Sequence, residues 1–283
     1  MLNPESIAVC IITYYPKWYR GKLRSIKHTD KVRGDLALEF IAKAQKLGLQ
    51  VVVSDGNSSR SFKKLLTQSK NIHLKFRKHP KRSPGKRQTF QTASKLKDIK
   101  VIVTTEPEKI SLLDSIETIS KPILDGNADI VTPQREDKLF KKTYPDYMYE
   151  SEIEGNKIYN EYLNLYSLLP KGETLDMFFG PKAFANKKEV LACFMRKFKL
   201  KTGKFKLPSE YFDPEEYSNT GYFPIILALK KKLKVESVEV PFDYPQVQKQ
   251  NEEAEAKELF IEKRKSQRLS LILELIHFLG IIT

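Results

Sequence analysis

The chain has 283 residues, 40% of them hydrophobic with 16 Phe and 13 Tyr, so it can bury a sizeable core as one large domain or two small ones. Its formal charge of +15 favours polyanionic partners (nucleic acid, nucleotide diphosphates or an anionic membrane surface), although a solubilising lysine coat gives the same charge without any partner. Two cysteines exclude a disulfide framework and a thiolate zinc site, the N-terminus lacks a signal-peptide pattern, and no apolar run reaches the roughly 18 residues of a transmembrane helix, which together predict a cytoplasmic protein.

Ser6–Thr13 (SIAVCIIT) reads as a fully buried first strand, ended by Tyr14-Tyr15-Pro16. A continuous apolar run, rather than an alternating one, indicates a parallel sheet covered on both faces, with Cys10 a buried thiol. Trp18–Arg33 is basic and aromatic and reads as a loop. Gly34–Leu47 has helical spacing and stops at Gly48. Gln50–Ser54 is a second strand, Asp55-Gly56-Asn57-Ser58-Ser59 a turn, and a short helix follows to Ser69. Asn71–Arg77 is a third strand. Lys78–Arg87 (KHPKRSPGKR) is a basic loop including His79, and Gln88–Lys97 a helix. Leu112–Leu124 is amphipathic, Ala128–Thr132 a buried strand, and Arg135–Tyr149 irregular. Helices are predicted over Ile153–Leu168, Lys187–Phe198 and Asn219–Leu233, with the apolar segment Leu175–Ala185 and the loop Leu200–Pro214 between them. Val235–Phe242 is a strand, Gln246–Arg268 a charged helix, and 269–282 an apolar tail. Strand and helix alternate, which is the signature of an α/β fold.

The stretch KVIVTTEPEK (100–109) organises the rest. Val101-Ile102-Val103 is a buried strand that delivers Glu106 and Glu108 at its C-terminal end, with Pro107 between them. Ligands of open α/β sheets bind outside the carboxyl ends of the strands. Two carboxylates held stiff by a proline can face a divalent cation, although a solvated strand-end loop has the same composition.

In order, SIAVCIITYYP, QVVVSDGNSS, SPGKRQTFQTASK, VIVTTEPEK, SLLDSIETISKPILDGNADIVTPQR, LDMFFGPKAFANKKEV and SNTGYFPIILALKKKLKVESVEVPF resemble the GT-A-type glycosyltransferases, namely glycosyltransferase family 2 and the mannosylglycerate-synthase-like group. The resemblance covers roughly residues 5–245. It implies a GT-A-type, Rossmann-like, mostly parallel sheet flanked by helices over 1–245, with 246–283 a helical extension packed on it. It further implies a nucleotide-diphosphate-sugar donor and transfer of its glycosyl group to an acceptor that the sequence does not specify. Asp55 then matches the aspartate that bonds the nucleobase, with Tyr14 and Pro16 flanking the base. Lys86 and Arg87 approach the nucleotide, and Glu106 and Glu108 take the Asp-x-Asp position, holding Mn²⁺ or Mg²⁺. The Glu-Pro-Glu-Lys departure allows a second arrangement, in which Lys86, Arg87 and Lys109 neutralise the diphosphate instead.

Asp176, beside an apolar turn, is a candidate base if its pKa is raised; Glu215 and Glu216 are its rivals. Asp55 is equally a simple turn former. Tyr222 and Phe223 line an acceptor pocket or belong to the core, and His277 is expected to be packed. The basic loop suits an anionic surface or a nucleic-acid backbone but matches no nucleic-acid motif, and the tail after KRKSQR suits an anionic membrane or plain packing. A non-catalytic GT-A-fold protein binding a nucleotide, nucleic acid or protein partner is the alternative function. A nucleotidyltransferase fits less well, because TYYPKWYRG is a poor match to a glycine-rich, arginine-containing loop.

Overall fold

A computed structural model describes residues 3–78, 80–199, 213–254 and 257–282. His79 and most of the 200–214 loop lie outside the described residues. Seven strands form one sheet: β1 (Ile7–Thr13), β2 (Gln50–Asp55), β3 (Ile72–Phe76), β4 (Val101–Thr104), β5 (Ile130–Arg135), β6 (Lys182–Ala185) and β7 (Val235–Val240). Their order is β3-β2-β1-β4-β6-β5-β7, parallel throughout except for β6, which runs antiparallel to β4 and β5. One register row crosses the sheet through Val51, Val9, Val103, Ala183 and Val131. All five are buried, as β-branched and small residues must be where both faces are covered. The expected class holds: an α/β fold with a mostly parallel sheet flanked by helices.

The helices are α1 (Thr29–Lys46), α2 (Arg60–Gln68), α3 (Arg82–Ala93), α4 (Ile116–Leu124), α5 (Asp137–Thr143), α6 (Asp146–Leu165), α7 (Lys188–Met195), α8 (Ser218–Gly221), α9 (Phe223–Lys230), α10 (Gln246–Ala254) and α11 (Lys257–Ile282). Three differ from the expected pattern for physical reasons. α1 starts at Thr29, five residues before Gly34. Gly34 is a notch for the Trp18 ring rather than a helix start, since a Cβ there would lie 2.4 Å from Trp18 Cδ1. The indole Nε1 donates to Asp35 at 2.9 Å and holds the basic segment down. α3 begins inside the basic run, with Pro84 in its first turn where a missing N–H costs nothing. The 135–149 stretch is two helices, α5 and α6, separated by Tyr144-Pro145; Phe140, Tyr144 and Met148 pin them to the core, so burial rather than charge pattern decides this segment.

The C-terminal helices close the fold. α10 packs on α1, and α11 packs on α6 and runs through the apolar tail. Phe278 stacks on Phe223 at 4.1 Å, and half-buried His277 lies on the same helix. No helix among the described residues is long and apolar enough to cross a membrane. Glu274 is buried in this seam and accepts a hydrogen bond from Ser218 Oγ. Burial, aided slightly by Asp213 and opposed by Ser218, pushes its carboxyl up to about 7. Between about 4.5 and 7 the folded chain therefore keeps a proton that the unfolded chain has lost, and stability falls as pH rises through that window. Glu274→Gln is expected to flatten this dependence and to raise stability at pH 8 by up to about 3 kcal/mol, read from melting curves between pH 4.5 and 8.

Candidate active site

A cleft of about 470 Å³ opens at the C-terminal ends of β1 and β4, where Ile12–Tyr15 and Thr105–Lys109 line it. Eight Lys and Arg side chains face it against four Glu, so among the described residues its wall is cationic. Its floor is built on a close approach. The Glu106 carboxylate lies over Gly180, where a Cβ would come within 2.4 Å of Oε1 and push the carboxylate from its place. Lys86 Nζ and Lys109 Nζ each lie 3.9 Å from this carboxylate. Although burial opposes ionisation, the two lysines hold Glu106 below the usual carboxylate range. Burial lowers Lys86 despite Glu106. Lys109 is held above its ordinary value, because Tyr144, Glu106 and Glu152 outweigh burial. Its ammonium also lies 5.1 Å from the Phe179 ring and 5.2 Å from that of Phe242.

Glu108 turns to other partners. Tyr15 Oη donates to it at 3.3 Å, and the charge of Arg33 is close enough to couple to it. Glu106 is thus hemmed in by two ammoniums and Glu108 is drawn toward a phenol and a guanidinium. Among the described residues, no three His, Cys, Asp or Glu side chains converge as a metal site.

The structure brings Tyr14, Lys86, Glu106, Glu108, Lys109 and Glu216 together on the cleft, with Tyr14 45% exposed. It does not bring Pro16, Asp55, Arg87 or Asp176 to that wall. Asp55 is fully buried and spends both oxygens on its own turn: Oδ1 accepts from the Asn57 and Ser58 backbone N–H groups, and Oδ2 accepts from Thr13 Oγ1 at 2.8 Å and from Ser58 Oγ. Arg87 is buried against Glu215, which Asn219 also holds at 2.6 Å, so this pair ties α3 to the 213–219 segment. The basic run is likewise docked on acidic partners, with Lys81 bound to Asp213 at 2.6 Å and Arg82 3.6 Å from Glu216 and over the Tyr217 ring. Tyr222 lines the cleft, whereas Phe223 is core.

Asp176 corrects the expectation of a raised carboxyl. Its burial opposes charge, but Arg135 donates to both oxygens, from Nε at 2.7 Å and Nη2 at 2.8 Å, and Asn156 adds a bond at 2.7 Å, so its pKa falls. Arg135 also gives Nη1 to Glu152 at 2.5 Å and lies 3.6 Å over the Phe140 ring. Lys182, which pairs with Thr104 across β6 and β4, is buried nearby and donates to the Phe179 carbonyl at 2.5 Å. Burial pushes its amine down to about 7 against the pull of Asp176 and Glu106. Sequence reasoning missed Tyr15, Arg33, Arg82 and the α11 residues Lys263 and Arg264, all on the cleft. Tyr15 adjoins Tyr14, Arg82 lies in the basic 78–87 run, and Lys263 and Arg264 open the KRKSQR stretch, whereas Arg33 closes a stretch read as a loop.

No protein-family model and no curated protein matches the chain. Among solved structures it is similar to S. aureus TarS residues 1–349 (13% identity, TM-score 0.43, covering 82% of this chain and 58% of that one). It is also similar to M. tuberculosis glucosyl-3-phosphoglycerate synthase (12%, 0.44, 84% and 72%). A third is 4-diphosphocytidyl-2C-methyl-D-erythritol synthase from Anaerococcus prevotii (12%, 0.42, 91% and 99%). The chain thus spans just over half the length of that TarS fragment, and the functional reading rests on the cleft itself.

If Asp176 anchors Arg135 rather than taking a proton from substrate, Asp176→Ala leaves a buried guanidinium short of its main partner. The expected loss is about 3–5 kcal/mol of unfolding free energy by urea titration, where a purely catalytic aspartate would leave the midpoint unchanged.

Proposed function

We propose that the chain is a glycosyltransferase that binds a nucleotide-diphosphate sugar in this cleft and neutralises the diphosphate with lysines instead of a metal ion. The observation that carries the reading is the Lys86–Glu106–Lys109 floor at the C-terminal end of β4. Two ammoniums converge on one carboxylate there, leaving a net positive charge beside the strand ends, where ligands of such sheets bind. Diphosphate oxygens between Lys86 and Lys109 gain the counter-charges that a departing nucleotide diphosphate needs, in a partly enclosed site where fixed charges act strongly. Tyr14 offers its exposed ring to the base, and Glu106 accepts hydroxyl hydrogen bonds from the sugar or ribose.

The transfer balances simply. The acceptor oxygen bonds the sugar C1, the C1–O bond to the phosphate breaks, and its electron pair leaves with the nucleotide diphosphate. In an inverting reaction the acceptor proton passes to a carboxylate, and Glu216 is the named candidate that faces the cleft, held there only by a long 3.6 Å pair with Arg82, whereas Asp176 and Glu215 do not line it.

Calorimetric titration with UDP, GDP and ADP and their sugars, with and without EDTA, tests the reading. One nucleotide family is expected to bind, with Lys86→Ala and Lys109→Ala each weakening it about tenfold or more, which is about 1.4 kcal/mol, and EDTA changing nothing. Absence of binding by every nucleotide would overturn the donor site; binding that EDTA abolishes would overturn the metal-free form. Tight binding with no release of nucleotide diphosphate from any donor sugar would favour the non-catalytic alternative.

A further inference from the structure

The nucleotide reading occupies the floor at β4. The opposite wall is supplied by helices from both ends of the chain: α1 contributes Arg33, and α11 contributes Lys263, Arg264 and Gln267. The charges on this wall do not cancel. Arg33 donates Nη2 to Glu252 at 3.1 Å, but its buried Nε has no hydrogen-bond partner. Arg264 stands 3.5 Å from Glu152, a carboxylate whose other oxygen Arg135 already holds at 2.5 Å. Lys263 has no carboxylate within ion-pair distance among the described residues, and its nearest recorded contact is the Phe260 ring at 5.8 Å. The charged groups that face its amine are Arg33 from α1, Arg264 from α11, Arg82 from α3 and, in the opposite sense, Glu252 from α10. Burial first, and then the three guanidiniums, push this amine down to about 8.

Like charges gathered on one wall of a cleft oppose the folded state unless an anion shares the space. A guanidinium with an unused N–H is a directional donor for oxyanions, and an ammonium beside it supplies a movable second charge. Glu108, Glu152 and Glu252 engage the two guanidiniums, but among the described residues Lys263 has no carboxylate of its own and Arg33 keeps an unused Nε–H, so the wall offers donors to more than one oxygen of a phosphate.

We propose that the Arg33–Lys263–Arg264 wall binds a phosphomonoester carried by the acceptor, so that the substrate class is a phosphorylated alcohol rather than a neutral sugar or lipid. This rests on the donor reading for what lies across the cleft. Its own test is separate from that reading. Inorganic phosphate is titrated calorimetrically into the full chain in chloride buffer, first alone and then at saturating nucleotide diphosphate. Phosphate is expected to bind in both cases. Lys263→Glu, at a helix position outside the core where only the amine end is partly buried, is expected to weaken phosphate at least tenfold and to change nucleotide-diphosphate affinity less than twofold. Phosphate excluded by nucleotide diphosphate, phosphate affinity unchanged in Lys263→Glu, no phosphate binding to the wild-type chain, or acetate binding as tightly as phosphate would each overturn the assignment. If no nucleotide diphosphate binds, the donor reading falls. Phosphate titration of wild-type and Lys263→Glu chains then still decides whether this wall is an anion site.

Discussion

Arg135 is the hinge on which the cleft depends. It ends β5 at the carboxyl end of the strand, where the chain leaves for α5 and α6, and its guanidinium is buried among Asp176, Glu152 and the Phe140 ring. A buried cation is tolerated only when its donors are satisfied, so Asp176 and Glu152 are not free to move. Asp176 in turn accepts the Phe179 N–H at 3.1 Å, which fixes the turn leading into β6. The Phe179 carbonyl takes Lys182, and Gly180 lies under Glu106. The position of the one carboxylate on the cleft floor therefore traces back to an ion cluster behind it.

Asp55 plays the same part on the other side. By accepting from Thr13, Ser58 and the turn backbone, it ties the ends of β1 and β2 together and sets where Tyr14 and Tyr15 leave the sheet. Both aspartates serve as scaffolding that aims other residues. The carboxylates left for the cleft are the glutamates, whose extra methylene lets them reach past the strand ends.

The difference between what was legible and what was not follows from contact separation. β1, β2 and β4 were readable because their apolar runs are buried on both faces, and Lys86, Glu106 and Lys109 because they sit on or beside the strand-end stretch that carries local sequence signals. The partners that hold Asp55 and Asp176 were not legible, because Thr13 and Arg135 lie 42 and 41 positions away. The segment 135–149 looked irregular because charged and aromatic residues alternate without period, yet the core it joins makes it helical. The docking of α10 was illegible for the same reason in extreme form: Arg33 meets Glu252 across 219 positions, and nothing local in either sequence announces the other.

In the proposed reaction, Glu106 does more than partly balance two lysines. Burial lowers the Lys86 amine, and Glu106 is the largest influence raising it. A bare pair of neighbouring ammoniums, half-enclosed, would lose a proton more readily and hold a diphosphate less well. The carboxylate between them favours the charged form of each. When a diphosphate arrives it brings more negative charge than Glu106 carries, so the ammoniums gain by turning to it while the carboxylate becomes available to hydroxyl donors. Glu108 takes no part in this floor, because Tyr15 and Arg33 draw it away. The glutamate-proline-glutamate-lysine sequence is thus coherent as a lysine-based anion site: the proline separates the two carboxylates, one keeps the lysines charged, and the other belongs to the opposite wall.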